Sequence, residues 1–92
     1  MTVYQAEWCP FSRKLRQRLT ELGVEWCAPP VEADPADRDA MRKATGTDII
    51  PAVILEDGTV LAGETDEIIA ALDDRFDEPS TAEGHKLAAA MH

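Results

Sequence analysis

The sequence predicts an α/β domain in which three or more helices flank a four-stranded mixed sheet. Short segments of β-forming residues alternate with segments whose apolar residues recur at helical spacing, in the order strand–helix–strand–helix–strand–strand–helix. The first strand–helix–strand unit should be parallel and right-handed. The pair Asp57-Gly58 stands between two apolar runs, which is typical of a hairpin and makes the last two strands antiparallel. Together these two connections make the sheet mixed.

The four predicted strands are short and bounded by turn-forming residues. They span residues 2–6, 24–28, 49–55 and 59–62. The second strand alternates apolar and polar positions and ends at Pro29-Pro30. The third contains a proline, Pro51, near its start, where most strands avoid one.

The first predicted helix follows Cys9. Pro10 suits the first helical position, because its missing N–H would have no partner there. Gly23 suits the left-handed residue that ends the last turn. One face of the helix is apolar, with Phe11, Leu15, Leu19 and Leu22 at steps of four, four and three. Cys9 is therefore predicted to lie at the N-cap or just before it.

Two further helices are predicted from their caps. Asp34 followed by Pro35 indicates a helix start, and Gly46 indicates its end. Thr65 and the acidic residues after it favour the start of a third helix. The apolar face of that helix consists of Ile68, Ile69, Leu72 and Phe76.

Composition and length predict one domain over residues 1–78, followed by a tail over residues 79–92 that can form a short helix. The chain has 92 residues, of which 45% are hydrophobic and 29% charged, as in globular domains. No apolar run approaches the roughly 18–20 residues that cross a bilayer, and the first residues lack a signal-peptide pattern. We therefore expect a cytoplasmic protein.

The charge balance argues against two kinds of partner, and the cysteine and histidine counts argue against a disulfide framework and a metal site. Nine basic and eighteen acidic residues give a net charge of −9, which argues against nucleic acid and anionic membranes as partners. Two cysteines cannot form a disulfide framework, and two histidines offer no metal cluster. No metal is expected.

Cys9 is the candidate nucleophile. A thiol at a helix N-terminus faces unpaired N–H groups and the positive end of the helix dipole, and both favour the thiolate. The alternative is a small apolar residue that fills the end of a strand. Four of the nine basic residues follow within a short run and form either a solvated helix face or a positive field around the thiolate: Arg13, Lys14, Arg16 and Arg18.

The element order and the run Trp8-Cys9-Pro10-Phe11-Ser12 resemble the glutaredoxins of the thioredoxin superfamily. The chain is also similar to the N-terminal domain of glutathione transferases, which shares that fold. The resemblance covers about residues 2–76 and implies a thioredoxin-like (glutaredoxin) fold. Ser12 stands where dithiol glutaredoxins have their second cysteine.

Pro51 matches a second feature of that family. The family has a cis-proline after Thr-Val, opposite the active-site cysteine, and Ile49-Ile50-Pro51 aligns with this motif. The resemblance implies that the backbone of Ile50 pairs with a bound thiol peptide, as an added strand would. The alternative is a trans-proline at the start of an edge strand.

The third feature is the segment 62–67. Glutaredoxins bind the γ-glutamyl end of glutathione with Gly-Gly-x-Asp-Asp, of which Gly63 and Asp66 match here; Glu64-Thr65 resembles the Glu-Ser of transferase domains instead. The N–H groups at the helix start would donate to the carboxylate of this end, and an acidic side chain would pair with its ammonium. The alternative is an ordinary helix cap.

Two basic residues of glutaredoxins are missing. Ala6 replaces the lysine three residues before the cysteine, and Thr47 and Asp48 stand where an arginine precedes Thr-Val-Pro. Both differences weaken the expected recognition of a carboxylate, so the small thiol is either glutathione or another low-molecular-weight thiol.

The resemblance implies a monothiol thiol–disulfide oxidoreductase that acts on mixed disulfides between oxidised proteins and a small thiol. The catalytic residues would be Cys9 and Ser12. The thiol substrate would bind at Trp8, Pro10, Phe11, Ile50, Pro51, Gly63, Glu64, Thr65 and Asp66. Cys27 is expected in the core or on a sheet face rather than as a resolving thiol. Two alternatives are a transferase-like thiol-binding module without redox turnover and an iron–sulfur cluster carrier.

Overall fold

The computed structural model describes residues 1–79 and 82–91. It contains three strands, four α-helices and one short 3-10 helix at Pro35–Asp37. The strands are β1 (Thr2–Tyr4), β2 (Ala52–Ile54) and β3 (Val60–Leu61). The helices are α1 (Pro10–Leu22), α2 (Asp39–Thr45), α3 (Thr65–Arg75) and α4 (Ala82–Met91).

The sheet has three antiparallel strands, so the prediction of a four-stranded mixed sheet is wrong. The strand order is β1-β2-β3. β1 pairs with β2 from Thr2 opposite Ile54 to Tyr4 opposite Ala52. In the β2–β3 pair Val53 lies opposite Leu61. The Asp57-Gly58 hairpin is confirmed, with Gly58 at a φ of 87°.

The predicted second strand, 24–28, contributes a single parallel bridge between Thr2 and Cys27. Val3 N–H donates to the Cys27 carbonyl at 2.8 Å, and Cys27 N–H donates to the Met1 carbonyl at 2.9 Å. Pro29 and Pro30, which follow Ala28, have no N–H groups, so the ladder cannot continue. Cys27 is exposed rather than in the core, because its bridge lies at the sheet edge.

Helix α1 begins and ends where the sequence predicts. Cys9 is its N-cap, Pro10 is its first residue, and Gly23 caps its C-terminus at a φ of 69°. The Gly23 N–H donates to the Thr20 carbonyl at 3.1 Å. A positive φ of this kind favours glycine, because it brings a Cβ too close to the backbone.

The second predicted helix is divided. Asp34 caps the 3-10 helix, with its side chain accepting from Ala36 N–H at 2.9 Å, but the backbone departs from helical geometry at Arg38, whose φ and ψ are −89° and 47°. The buried Arg38 side chain donates to the carbonyls of Glu32 and Asp48 at 2.6 and 2.8 Å. These contacts hold the flanking loops and separate the two helical pieces.

The core lies between the sheet and one face each of α1 and α3. It consists of Val3, Leu15, Leu19, Leu22, Val53, Leu55, Ile68 and Leu72. Phe11, predicted on the apolar face of α1, is instead 61% exposed, since it lies in the first turn at the end of the sheet. Glu64 rather than Thr65 is the N-cap of α3.

Helix α4 lies in the segment predicted as a tail and packs against α1. Ala82 is buried, and Lys86 Nζ donates to Glu78 Oε1 at 2.7 Å. Residues 80, 81 and 92 of that segment lie outside the described residues, and the boundary at residue 78 stays a prediction. Within 1–79 and 82–91, no helix has the length and apolar character needed to cross a membrane.

Candidate functional site

The sheet register gathers the predicted site residues at one end of the fold. β1 ends at Tyr4, which pairs with Ala52, the residue after Pro51. The loop from Gln5 to Cys9 therefore leaves the sheet at the end where β2 begins. β3 runs antiparallel to β2, so the chain leaves β3 toward α3 at this same end.

The Cys9 thiol is held in a setting that favours the thiolate. Cys9 is 5% exposed, and this burial opposes ionisation. The backbone and hydroxyl dipoles of Ser12, the N–H of Phe11 and the charge of Arg16 outweigh it, so the pKa of Cys9 lies below its ordinary value. The sulfur makes no capping hydrogen bond of ordinary geometry, so these groups act on it mainly as nearby dipoles and a nearby charge.

Ser12 connects the cysteine loop to α1. It is fully buried, and its Oγ accepts from the Ala6 N–H at 3.2 Å. Cys9 N–H donates to the carbonyl of the same residue, Ala6, at 3.2 Å. The hydroxyl thus fixes the turn before Cys9 and also lowers the pKa of the thiol.

A pocket of about 110 Å³ lies between the N-terminal turns of α1 and α3. Its lining residues are Phe11, Lys14, Glu64, Thr65 and Asp66. Lys14 Nζ pairs with Asp66 Oδ1 at 2.5 Å across it. Two helix N-termini, one lysine and two carboxylates make this pocket suitable for a ligand that carries both charges.

Lys14 was not among the predicted site residues. The signal that could have identified it is its spacing: Lys14 is three residues after Phe11 and therefore on the same face of α1. It places a cation at the site although the two basic residues typical of glutaredoxins are absent.

The other predicted binding residues do not line this pocket. Trp8 is 65% exposed and Pro10 is exposed, and the two flank the buried Cys9 in the chain. The Ile50–Pro51 bond is cis, as the resemblance implied, and Pro51 is buried. Gly63 adopts a φ of 108°, which favours glycine, in the turn before α3.

A larger cavity of about 400 Å³ lies at the opposite end of the sheet. Its lining is Met1, Val24, Glu25, Leu55, Glu56, Asp57, Arg75 and Phe76. None of the predicted site residues contributes to it. Among the described residues, no group of three or more histidine, cysteine, aspartate or glutamate side chains could hold a metal ion.

Several solved structures are similar to the chain. A glutathione S-transferase domain-containing protein from Marinobacter aquaeolei VT8 superposes with a TM-score of 0.69 at 28% identity over 87% of this chain. A glutathione S-transferase of class Gtt2 from Vibrio parahaemolyticus gives 0.63 at 25% identity over 86%. Glutathione S-transferase 1-6 from Anopheles dirus species B gives 0.72 over 88%, and at 23% identity it supports the fold alone.

These relatives are longer than this chain, which covers 40%, 40% and 38% of their respective lengths. No curated protein matches the sequence. The family model of the glutathione S-transferase N-terminal domain matches residues 8–75, a range that includes Cys9, Ser12 and the residues of the 110 Å³ pocket. The chain therefore belongs to the glutathione S-transferase N-terminal domain family, within the thioredoxin-like superfamily.

Proposed function

We propose that the chain is a small-thiol-binding domain in which Cys9 carries out thiol–disulfide exchange by a monothiol route. The observation that carries the proposal is the arrangement at Cys9, where the Ser12 and Phe11 dipoles and Arg16 lower the pKa of a thiol at the start of α1. A thiolate is the nucleophile in this chemistry.

The exchange proceeds in two steps. The Cys9 thiolate attacks the small-thiol sulfur of a protein mixed disulfide, forms a new disulfide with it and expels the protein thiolate, which takes a proton from solvent. A second small thiol, as its thiolate, attacks the small-thiol sulfur of that disulfide, giving the small disulfide and the Cys9 thiolate. The sum converts one mixed disulfide and one thiol into one protein thiol and one small disulfide.

The second step requires an external thiol. The residue three positions after Cys9 is Ser12, which has no thiol that could resolve a disulfide on Cys9. The other cysteine, Cys27, lies at the sheet edge. The chemistry needs Cys9 to be kept reduced, which fits a reducing compartment such as the cytoplasm.

Glutathione is the small thiol that we propose, because the similar proteins are named as glutathione S-transferases. We propose that its amino-acid end enters the 110 Å³ pocket. The ligand carboxylate would replace Asp66 as partner of Lys14, and the ligand ammonium would replace Lys14 as partner of Asp66. Because the pair is exposed and screened by solvent, we expect each half to contribute only about 1 kcal/mol.

The binding sites assigned from the resemblance stay proposals. Thr65 N–H and Glu64 lie at the start of α3 beside the same pocket, and the backbone of Ile50 would pair with the ligand cysteine. Trp8, Pro10, Pro51 and Gly63 would surround the thiol.

Mass spectrometry after exposure to oxidised glutathione tests the proposal. We expect one glutathione adduct on the wild type and on Cys27→Ser, the matched control, and none on Cys9→Ser. In the presence of glutathione, the wild type and Cys27→Ser should reduce a glutathionylated peptide, and Cys9→Ser should not. An adduct on Cys27 alone, or no adduct on a folded protein, would refute the proposal.

A second candidate is a transferase-like thiol-binding domain without redox turnover. The family match and the closeness of Glu64-Thr65 to the pocket favour it. Calorimetry with glutathione separates the two: binding without reduction of the glutathionylated peptide supports the second candidate.

Lys14→Met tests the pocket in either case. We expect it to weaken glutathione binding about fivefold, which corresponds to about 1 kcal/mol. Lys43→Met, an exposed lysine on α2, is the charge-matched control and should bind as the wild type does. Equal effects of the two variants would exclude a specific role for Lys14.

A further inference from the structure

Arg16 reaches back from the second turn of α1 to the loop that leads to Cys9. Its side chain is 18% exposed. Its guanidinium donates to the carbonyls of Ala6 at 3.1 Å and Glu7 at 3.5 Å, and to the side-chain oxygen of Gln5. A second contact joins it to the Glu7 carboxylate at 3.4 Å. One side chain thus holds three successive residues.

The Ala6 carbonyl connects this arrangement to the thiol. It accepts from Arg16 and also from the backbone N–H of Cys9, at 3.1 and 3.2 Å. The Ala6 N–H is held by Ser12 on the other side. The planar fork of an arginine suits several carbonyl acceptors at once, whereas a lysine ammonium offers one point of contact.

We propose that Arg16 is a positioning residue for Cys9, fixing residues 5–7 and, through the Ala6 carbonyl, the turn that leads to Cys9, and keeping a cation beside the thiol. The inference rests on the proposed role of Cys9 as nucleophile. The charge of Arg16 is also the one side-chain charge among the groups that lower the pKa of Cys9.

The other charged side chains of α1 and α3 at this end of the fold are paired or exposed. Lys14 of α1 pairs with Asp66 of α3, and Glu64, the N-cap of α3, is exposed. Arg13 of α1 is exposed, and it is the obvious alternative source of a general positive field. A comparison of Arg13 with Arg16 therefore separates a field from a specific contact.

The experiment measures the rate of Cys9 alkylation by iodoacetamide against pH, in a Cys27→Ser background so that one thiol reacts. Arg16→Met should raise the pKa read from this profile and slow alkylation at pH 6 about threefold or more. Arg13→Met removes the same charge and should change the rate less. Arg16→Lys keeps the charge but not the fork, so it should restore the rate in part.

Glu7→Gln provides a test that does not depend on a buried side chain, since Glu7 is 80% exposed. It removes the carboxylate that partly neutralises Arg16 and should speed alkylation at pH 6. Slower alkylation in this variant, an unchanged profile for Arg16→Met, or equal shifts for the Arg13 and Arg16 variants would overturn the inference. If wild-type Cys9 itself reacts no faster than an ordinary thiol, the proposed function fails instead.

Discussion

Ser12 shows how one buried hydroxyl can serve both the fold and the thiol. Its oxygen accepts from Ala6 N–H, and its side chain lowers the pKa of Cys9. The serine that stands where dithiol glutaredoxins have their second cysteine therefore also has a structural role.

Ser12→Ala should weaken both effects. The half-buried Ala6 N–H would lose its partner, so we expect a loss of about 1 kcal/mol in the free energy of unfolding. The pKa of Cys9 should rise, because one group that favours the thiolate is removed. Thr20→Ala is the matched control, since it removes an exposed hydroxyl bonded to the Arg16 carbonyl of the same helix. Chemical denaturation measures the unfolding free energy, and the pH profile of alkylation measures the pKa of Cys9. If Thr20→Ala changed both quantities as much as Ser12→Ala, the role assigned to Ser12 would be contradicted.

The lowered pKa of Cys9 also predicts a pH dependence of stability. A group whose pKa is lower in the folded state adds stability above its unfolded pKa, about 8.5 for a thiol, and loses it as pH falls through the folded pKa. The unfolding free energy of the wild type minus that of Cys9→Ser should therefore increase as pH rises toward 8.5. Denaturant titrations at several pH values measure this difference. A difference that stays constant or falls would show that the fold does not favour the thiolate.

At the scale of elements, the two helix-ending glycines differ in their surroundings. Gly23 and Gly46 have φ values of 69° and 81°. A Cβ on Gly23 would lie 3.2 Å from Pro79 Cγ, whereas nothing lies within 4 Å of one on Gly46. Both alanine variants pay the left-handed backbone cost of about 1 kcal/mol.

Gly23→Ala should therefore be more destabilising than Gly46→Ala, because the Pro79 ring must also move. Thermal and chemical denaturation of the two variants check the order. The reverse order would mean that the 79 segment does not pack on the end of α1 in solution.

Arg18 joins α1 to α3 and to the segment that follows α3 through ion pairs. It contacts Glu21 of α1 at 2.9 Å, Asp73 of α3 at 2.8 Å and Glu78 at 2.6 Å. The hydrogen bonds that Arg18 donates to Glu78, Glu21 and Asp73, in that order of effect, raise the pKa of Arg18. Since Glu21 is buried, Arg18→Met leaves its carboxylate without this counter-ion and should cost about 2 kcal/mol in unfolding free energy. The ion pairs of Arg42 are more exposed, so Arg42→Met should lower the unfolding free energy less than Arg18→Met does. A larger loss for Arg42→Met in chemical denaturation would contradict this role of Arg18.

The elements that the sequence predicted well are those fixed by local signals. The proline and glycine at the ends of α1 determine its bounds, and the Asp57-Gly58 turn determines the hairpin. The divided second helix depends instead on contacts outside the helix, such as that of Arg38 with Asp48. The predicted second strand is reduced to a single bridge, because Pro29 and Pro30 stop its ladder. Of the candidate site, Cys9 and its neighbours were candidates from the sequence. The spacing of Lys14 from Phe11 places it on the same face of α1, but its pairing with Asp66, 52 residues away, follows only from the packing of α1 against α3.

At the scale of the whole molecule, α4 is a separate layer over α1. The core cluster takes no residue from the described part of 82–91, while the Lys86–Glu78 pair and the buried Ala82 attach α4 to the rest. A chain that ends at residue 79 should therefore fold with lower stability, because one side of α1 loses its cover. Circular dichroism and thermal denaturation measure this. An unfolded product would contradict the predicted domain over residues 1–78.

The groups around Cys9 also bear on how long a covalent adduct at this position would survive. Whatever favours the sulfur anion makes it a better leaving group, and better leaving groups are displaced faster from disulfides. If Cys9 forms the proposed conjugate, the turn held by Ser12 and Arg16 should therefore shorten its lifetime. Trapping such a conjugate for structural work should be easiest in acid or in a variant that lacks one of those two side chains.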